Sequence, residues 1–343
     1  MSSTIRVETI TLGDELLLGI RENSHLTYLG SQLAHHGIEP AANLVIRDNP
    51  NDIKDFFSEA WKRSDLVITT GGLGPTTDDL TRESIAEALG EELIYDAEIE
   101  QSIRQRFQQL ERKMPEINLR LCHRPKNAEI LRNPYGTAPG LFLQKEGKIL
   151  VMLPGPAREM HPMFEEQVIP RLQTAGVLPE IDCYLQLRTA GIGESDLAEK
   201  VGPILEDIPG IVIGYCAHAG LVDLRLSSLD SDLLDEEKLI KIGDQCREEI
   251  GEDFVCFGDR SLAEVIFREL RSLNQTLAVA ESCTGGLLSA SFTEISGIST
   301  VFHGGAVCYH NDAKVQILEI PEIMLEQHGA VSEEIAIVMA TSA

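Results

Sequence analysis

Two short segments of the chain combine glycines, hydroxyl groups and carboxylates in a way that suits phosphate or acyl chemistry. The first, residues 69–81, reads Thr-Thr-Gly-Gly-Leu-Gly-Pro-Thr-Thr-Asp-Asp-Leu-Thr. The second, residues 281–286, reads Glu-Ser-Cys-Thr-Gly-Gly. Each follows an apolar, strand-like run and precedes a helix-like one, and the anion-binding loops of α/β proteins lie at such strand-to-helix junctions.

The first segment is predicted to be an anion-binding loop that carries its own metal ligands. Glycines there allow backbone N–H groups to approach a phosphate closely, and the start of the following helix adds partial positive charge. Carboxylates repel a phosphate directly, but they can hold a divalent cation that bridges to it. A glycine turn with an acidic helix N-cap is the simpler alternative, although such a turn needs one glycine rather than three.

The composition limits the classes of protein to which the chain can belong. Its 343 residues are enough for two or three domains, and a hydrophobic content of 43% supports a core in each. The formal charge of −26 disfavours binding to nucleic acid or to an anionic membrane, since the long-range field repels both. The cysteines form no CxxC pair, and no signal peptide or membrane span is recognisable. We therefore expect a cytoplasmic protein that acts on small molecules.

The alternation of strand and helix patterns predicts three domains. Residues 1–175 predict an α/β domain with a doubly wound parallel sheet and helices on both faces, in three layers. Residues 176–258 read as β-α-β-β-α-β, the order of a small ferredoxin-like α+β domain. This domain lacks the aromatic-rich strand of RNA binders, and its open sheet edge is suited to a homodimer. Residues 259–343 predict a further α/β domain with few strands, which we expect to be incomplete.

Several motifs, taken in order, resemble those of the competence/damage-inducible protein A (CinA) family, and they span nearly the whole chain. The matching segments are Gly13–Gly19, Asn23, Thr69–Thr81, Pro154–Met160, Gly191–Leu197, Glu281–Gly286, Gly304–Lys314 and Gly329–Ser332. The resemblance implies a molybdopterin-binding-like first domain and a nicotinamide mononucleotide deamidase-like last domain. One departure is Asp14, a position where family members commonly have Thr, and this change adds a carboxylate next to Glu15.

The resemblance implies an enzyme of pyridine-nucleotide salvage with two hydrolytic activities. In the first domain, a pyrophosphatase dependent on Mg²⁺, Mn²⁺ or Co²⁺ would hydrolyse ADP-ribose to AMP and ribose 5-phosphate. The predicted metal ligands are Glu15, Asp78 and Asp79, and the two aspartates are also predicted to be catalytic. The residues predicted to contact the substrate are Asn23, Gly71, Gly72, Gly74, Thr76, Thr77, Gly155 and Glu159. Alternatively, Glu15 and Glu159 are ordinary acidic residues at helix starts.

For the last domain, the resemblance implies that Ser282 is the nucleophile of a deamidase, with Tyr309 and Lys314 as its partners. The residues predicted to bind the nucleotide beside it are Thr284, Gly285 and Gly286. Without the resemblance, the favoured reading is that Ser282 is a helix N-cap and Lys314 is a surface residue. Because the family domain continues for further strands and helices, we expect this chain to deamidate weakly or not at all.

Two functions from other classes stay open. The predicted fold also occurs in molybdenum-cofactor proteins, so a non-catalytic module that binds a pterin is one alternative. An interaction scaffold in competence or DNA repair is the other, and only the family's name suggests it. Metal-dependent release of AMP from ADP-ribose distinguishes the enzyme from both.

Overall fold

The computed structural model describes residues 5–178, 184–228 and 233–343, so parts of the predicted middle domain lie outside the described residues. The packing divides the chain into two compact units, and the middle sheet contributes to each. The predicted domain limits at residues 175 and 258 stay a prediction. None of the helices in the described ranges is long and apolar enough to cross a lipid bilayer.

The N-terminal region contains eight strands and seven α-helices. The strands are β1 (Val7–Leu12), β2 (Ala42–Ile46), β3 (Leu66–Thr70), β4 (Leu93–Tyr95), β5 (His123–Pro125), β6 (Glu129–Leu131), β7 (Gly140–Lys145) and β8 (Lys148–Leu153). The helices are α1 (Asp14–Leu17), α2 (Ser24–His35), α3 (Pro50–Arg63), α4 (Thr81–Leu89), α5 (Ala97–Gln109), α6 (Ala157–Met163) and α7 (Ile169–Thr174). A 3₁₀ helix spans Glu116–Cys122, and a π-helical turn spans Phe164–Val168.

Six of these strands form one sheet in the order β2-β1-β3-β8-β7-β6. The first four run parallel, and β7 and β6 are antiparallel. Every residue of β1 and β3 is buried, as expected for central strands covered on both faces. One core packs α3, α4 and α5 against the sheet, and another packs α2, α6 and α7 against its opposite face. The predicted doubly wound, three-layer domain is therefore confirmed.

The middle region forms a four-stranded sheet in the order β10-β11-β9-β12. Its elements are β9 (Tyr184–Ala190), α8 (Glu194–Leu205), β10 (Ile211–His218), β11 (Leu221–Ser228), α9 (Glu236–Ile250) and β12 (Phe254–Phe257). Numbered within the domain, the strand order is 2-3-1-4, with the first and last strands antiparallel neighbours. This order confirms the predicted β-α-β-β-α-β topology.

The C-terminal region contains a two-stranded parallel sheet and five helices. Its elements are α10 (Leu262–Ser272), β13 (Leu277–Glu281), α11 (Leu287–Thr293), β14 (Phe302–Val307), α12 (Asn311–Leu318), α13 (Glu322–His328) and α14 (Glu333–Ser342). Ser261 caps α10 through a reciprocal pair of hydrogen bonds with Glu264. The paired positions Glu281 and Val307 end the two strands side by side, which brings the segments that follow them to one edge.

Candidate functional site

The predicted loop lies at the edge where the four parallel strands of the N-terminal sheet end. Asp14 follows β1, Asp48 follows β2, Gly71 follows β3 and Gly155 follows β8. Because β2 and β3 lie on opposite sides of β1, the strand order reverses at this point. Open α/β sheets bind ligands in the crevice at such a switch point.

The glycine loop, residues 71–79, begins directly after β3 and folds against the end of β1. Gly71 has a φ of +97°, and a Cβ atom there would lie 2.6 Å from the carbonyl oxygen of Leu12, so the position requires glycine. The Gly71 N–H donates to the carbonyl of Leu153 at 3.0 Å and is not free for a ligand. In the described part of the chain, the N–H groups of residues 72–74 donate to no protein acceptor. Three backbone donors are therefore left for an anion.

Asp79 and Arg120 hold the rest of the glycine loop in place. The carboxylate of Asp79 accepts hydrogen bonds from the N–H and the hydroxyl of Thr76, at 2.9 and 2.5 Å. A Cβ atom on Gly74 would lie 2.4 Å from that carboxylate, so this glycine makes room for it. The guanidinium of Arg120 donates to the carbonyl oxygens of Pro75, Thr76 and Asp79. Asp79 thus stabilises the loop, and its predicted role as a metal ligand stays a prediction.

An acidic cluster, defined as Asp14, Glu15, Asp48 and Asp78, borders the glycine loop. The N–H of Asp14 donates to the carboxylate of Asp48 at 3.2 Å, and the N–H of Asp48 donates to the carboxylate of Asp14 at 3.4 Å. Burial raises the pKa of Asp48, and the negative charges of the other three carboxylates raise it further. The Thr76 side chain, by contrast, lowers the pKa of the exposed Asp78. The cluster is an environment in which a cation is favourable.

The predicted metal ligands do not form a metal cage made only of protein groups. Across residues 5–178, 184–228 and 233–343, no group of three or more His, Cys, Asp or Glu side chains is placed to hold a metal ion. Mg²⁺ commonly uses one or two carboxylates and completes its shell with water and substrate phosphates. The paired carboxylates of Asp14 and Asp48, with Asp78 near them, fit that mode of binding.

Asn23 and His25 join the strand ends at this edge. The Asn23 side chain accepts from the N–H of Leu26, which caps α2, and donates to Thr11 and Asn43. The His25 ring lies 2.9 Å from the Thr70 hydroxyl and is hydrogen-bonded to the backbone of Gly155. Burial lowers the pKa of His25, so the ring is neutral at pH 7.

Glu159 is buried and supports a different wall of the domain. Its carboxylate accepts from the Asn133 side chain at 2.8 Å, and a Cβ atom on Gly136 would clash with it. Asn133 and Gly136 line a cavity of about 1090 Å³ beside α5. Glu159 therefore contacts two residues that line this cavity. Its predicted contact with the substrate stays a prediction.

In the C-terminal region, the serine turn, residues 282–289, is organised by Glu281. The Glu281 side chain is buried, and its carboxylate accepts from the hydroxyls of Thr284 and Ser289 and from the N–H groups of Gly286, Leu288 and Ser289. Burial acts to raise the pKa of Glu281, but these hydrogen bonds outweigh it and lower the pKa to about 2. The predicted nucleotide contacts Thr284 and Gly286 therefore already have a partner within the protein.

The three predicted deamidase residues lie near the common end of β13 and β14, but they are not joined by hydrogen bonds. Ser282 lines a groove of about 370 Å³ with Cys283, Val331 and small side chains. Lys314 is 1% exposed and donates to the carbonyl oxygen of Tyr309 at 3.1 Å, so it is not a surface residue. Among the described residues, no hydrogen bond links the side chain of Ser282 to Tyr309 or Lys314.

Sequence reasoning did not assign roles to Asp48, Arg120, His25 or Glu281. Asp48 had a recognisable signal, because it directly follows the strand that pairs with β1 at the same edge. Glu281 belongs to the motif Glu281–Gly286, but only its neighbour Ser282 was predicted to be catalytic. Arg120 lies 41 residues after Asp79, and no local pattern connects the two.

Comparison with known families matches three segments of the chain. Residues 8–174 match the family described as "Probable molybdopterin binding domain". Residues 186–255 match "Damage-inducible protein CinA KH domain", and residues 259–343 match "CinA C-terminal domain".

Individual relatives match along nearly the whole chain. A CinA-like protein of Kosmotoga olearia is 41% identical over 341 residues, and one of Dictyoglomus turgidum is 38% identical over 340 residues. Each match covers 98% of this chain and 82% of the relative. A crystal structure of a CinA protein of unknown function from Thermoplasma acidophilum is 32% identical, covers 49% of this chain and 98% of that chain, and has a TM-score of 0.46. The protein described here belongs to the CinA family.

Proposed function

We propose that the N-terminal domain is a metal-dependent hydrolase that cleaves the pyrophosphate of ADP-ribose to give AMP and ribose 5-phosphate. One observation carries the proposal: three backbone N–H groups, those of residues 72–74, donate to no acceptor among the described residues and border an acidic cluster at the switch point of the sheet. Free amide donors suit phosphate oxygens, and paired carboxylates suit a cation bound between protein and phosphate. A pyrophosphate requires both.

Each part of this site has a physical task. The amides of residues 72–74 bind phosphate oxygens, and Asp14, Asp48 and Asp78 hold a divalent cation. When bound, that cation neutralises the negative charge of the pyrophosphate. Arg120 and Asp79 fix the loop that carries the amides, so that the donors are in place before the substrate arrives.

The test is AMP release from ADP-ribose by the purified full chain with Mg²⁺, Mn²⁺ or Co²⁺ and with EDTA as the control. We expect release that requires the metal and follows the enzyme concentration. Intact ADP-ribose under all of these conditions would contradict the proposal. Tight binding of a pterin without turnover would instead favour the non-catalytic module.

We also propose that the C-terminal domain is an amidohydrolase of weak activity toward nicotinamide mononucleotide, with Ser282 as nucleophile. The supporting observations are the groove that contains Ser282 and the position of the buried Lys314, whose Nζ donates to the carbonyl oxygen of Tyr309. Ammonia release that Ser282→Ala abolishes supports this second activity. Equal release by wild type and Ser282→Ala would contradict it.

A further inference from the structure

Glu281 makes an unusually complete set of contacts for a single carboxylate. It ends β13 with a side chain that is 2% exposed. Its five hydrogen bonds all come from the serine turn. They are donated by Thr284 Oγ1 (2.7 Å), Gly286 N (3.1 Å), Leu288 N (2.9 Å), Ser289 N (2.8 Å) and Ser289 Oγ (2.5 Å).

The backbone of Glu281 is fixed from the opposite direction. Its carbonyl oxygen accepts from the N–H of Cys308 at 2.7 Å, and Glu281 pairs with Val307 in the parallel sheet. The main chain of Glu281 is thus bound to the end of β14, while its side chain is bound to the start of α11. Ser282, the next residue, is held between these two attachments.

Five donors that converge on one side chain favour an ionised acceptor. A carboxylate offers about four lone-pair sites and no hydrogen, whereas a glutamine amide turns two of those sites into N–H donors. Every group that faces Glu281 in the serine turn donates, so an amide at this position would place N–H groups against N–H groups. A buried donor left without an acceptor carries a desolvation cost.

From these contacts we infer that Glu281 is a positioning residue for the reaction at Ser282. Its carboxylate is an anion within the serine turn, at the place where the sequence pattern suggests that a nucleotide phosphate binds. The inference rests on the proposed amidohydrolase function. Glu281 touches no substrate in this account and acts through the backbone of the turn. Acyl transfer requires the nucleophile to be held within a fraction of an ångström of its productive position, and the carboxylate provides that constraint.

A consequence concerns the phosphate of the substrate. The N–H of Gly286 and the hydroxyl of Thr284 are occupied by Glu281, and the N–H of Gly285 donates to the carbonyl oxygen of Ser282 at 3.2 Å. A second anion at this turn would also be repelled by the buried carboxylate. The nucleotide phosphate is therefore expected to bind elsewhere than at the Thr284 hydroxyl and the amides of Gly285 and Gly286.

Hydrogen–deuterium exchange of the full chain tests the anchoring role without relying on activity. We expect Glu281→Gln to accelerate exchange in residues 284–289 at least tenfold, while peptides from the N-terminal sheet are unchanged. Ser289→Ala removes one of the five bonds and should give a smaller acceleration in the same segment. Glu294→Gln, an exposed carboxylate at the end of α11, is the matched control and should change nothing. Wild-type exchange of residues 284–289 in both Glu281→Gln and Ser289→Ala would overturn the inference.

Kinetics with nicotinamide mononucleotide as substrate distinguish two roles of Glu281, namely positioning Ser282 and stabilising the fold in general. In Ser289→Ala, which retains four of the five hydrogen bonds, we expect kcat to fall at least threefold with KM within twofold of wild type. Glu281→Gln should lose at least tenfold in kcat with KM again unchanged, and Glu281→Asp, which keeps the charge, should recover part of that loss. Unchanged kcat together with faster exchange would overturn the positioning role. If wild type releases no ammonia, the amidohydrolase proposal fails, and exchange alone decides whether Glu281 anchors the turn.

Discussion

The glycine loop and the serine turn have similar sequences but opposite internal arrangements. Both follow a strand of a parallel sheet, and both contain adjacent glycines and hydroxyl groups. In the glycine loop, the amides of residues 72–74 donate to no acceptor within the described ranges of the chain, and the carboxylates of the acidic cluster lie close by. In the serine turn, the carboxylate of Glu281 accepts from the amides of residues 286, 288 and 289 and from two hydroxyls.

This difference shows that a glycine-rich junction does not by itself make an anion site. Such a junction can bind an anion only if no protein group already accepts hydrogen bonds from its amides. An internal carboxylate makes a rigid turn that presents the neighbouring Ser282. Amides without a protein acceptor can bind an anion. Nearby carboxylates can then bind a cation that accompanies this anion.

The largest effect is expected from removing the exposed carboxylate of the acidic cluster. Asp78→Ala should lower kcat for AMP release from ADP-ribose by roughly 100-fold or more, because one direct interaction with the cation is lost. Thermal stability should hardly change, since Asp78 is exposed and packs against little. Asp55→Ala, which removes an exposed carboxylate on α3, is the control. Activity of Asp78→Ala within twofold of wild type would rule out its place in the site.

A second prediction concerns the response of the serine turn to acid. The pKa of Glu281 lies at about 2 in the folded protein, below its ordinary value of 4.5. Its stabilising contribution is therefore complete above pH 4.5 and is lost as the pH falls toward 2. Calorimetry should show Glu281→Gln less stable than wild type by about 2–4 kcal/mol at pH 6. The two unfolding curves should converge near pH 2, and a constant difference across this range would contradict the contacts of Glu281.

A third prediction distinguishes the roles of Asp78 and Asp79, for which the sequence predicts the same role. Asp79→Ala removes the acceptor for the N–H and hydroxyl of Thr76, so the glycine loop loosens while Asp78 is still present. We expect kcat for AMP release to fall by about tenfold, or about 1.4 kcal/mol, with the metal dependence unchanged. Metal titrations of Asp78→Ala and Asp79→Ala provide the comparison. A shifted metal optimum in Asp79→Ala would instead support its predicted role as a ligand.

The smallest effect is expected from replacing Asp48. Its ionised carboxylate lowers the stability of the folded protein, but the proposed metal site requires it. Its raised pKa means that ionisation is unfavourable in the folded state, so its contribution to stability falls as the pH rises above 3.8. Asp48→Asn should therefore raise Tm at pH 7 by roughly 1–4 °C while lowering AMP release. The gain should disappear below pH 3.8, and Asp55→Asn should give none. A lower Tm for Asp48→Asn at pH 7 would contradict the electrostatic account.

Local pattern was enough to predict the fold and the position of both loops. The apolar runs of β1 and β3 and the glycines that follow them define the sheet and its edge, because central parallel strands are buried on both faces. The partners within each loop could not be predicted in this way. Arg120 reaches the glycine loop from a distant 3₁₀ helix, and the donors that converge on Glu281 depend on the path of the backbone after it. The predicted roles of Ser282, Tyr309 and Lys314 stay predictions.

The contrast between an open loop and an internally occupied turn can be measured in one experiment. Hydrogen–deuterium exchange is recorded on the full chain with and without ADP-ribose and Mn²⁺, at a temperature where turnover is slow. We expect the ligand to slow exchange in residues 71–79 and to leave residues 284–289 unchanged, because Glu281 already accepts from the amides of residues 286, 288 and 289. Protection of residues 284–289, or no protection of residues 71–79 at saturating ligand, would contradict it.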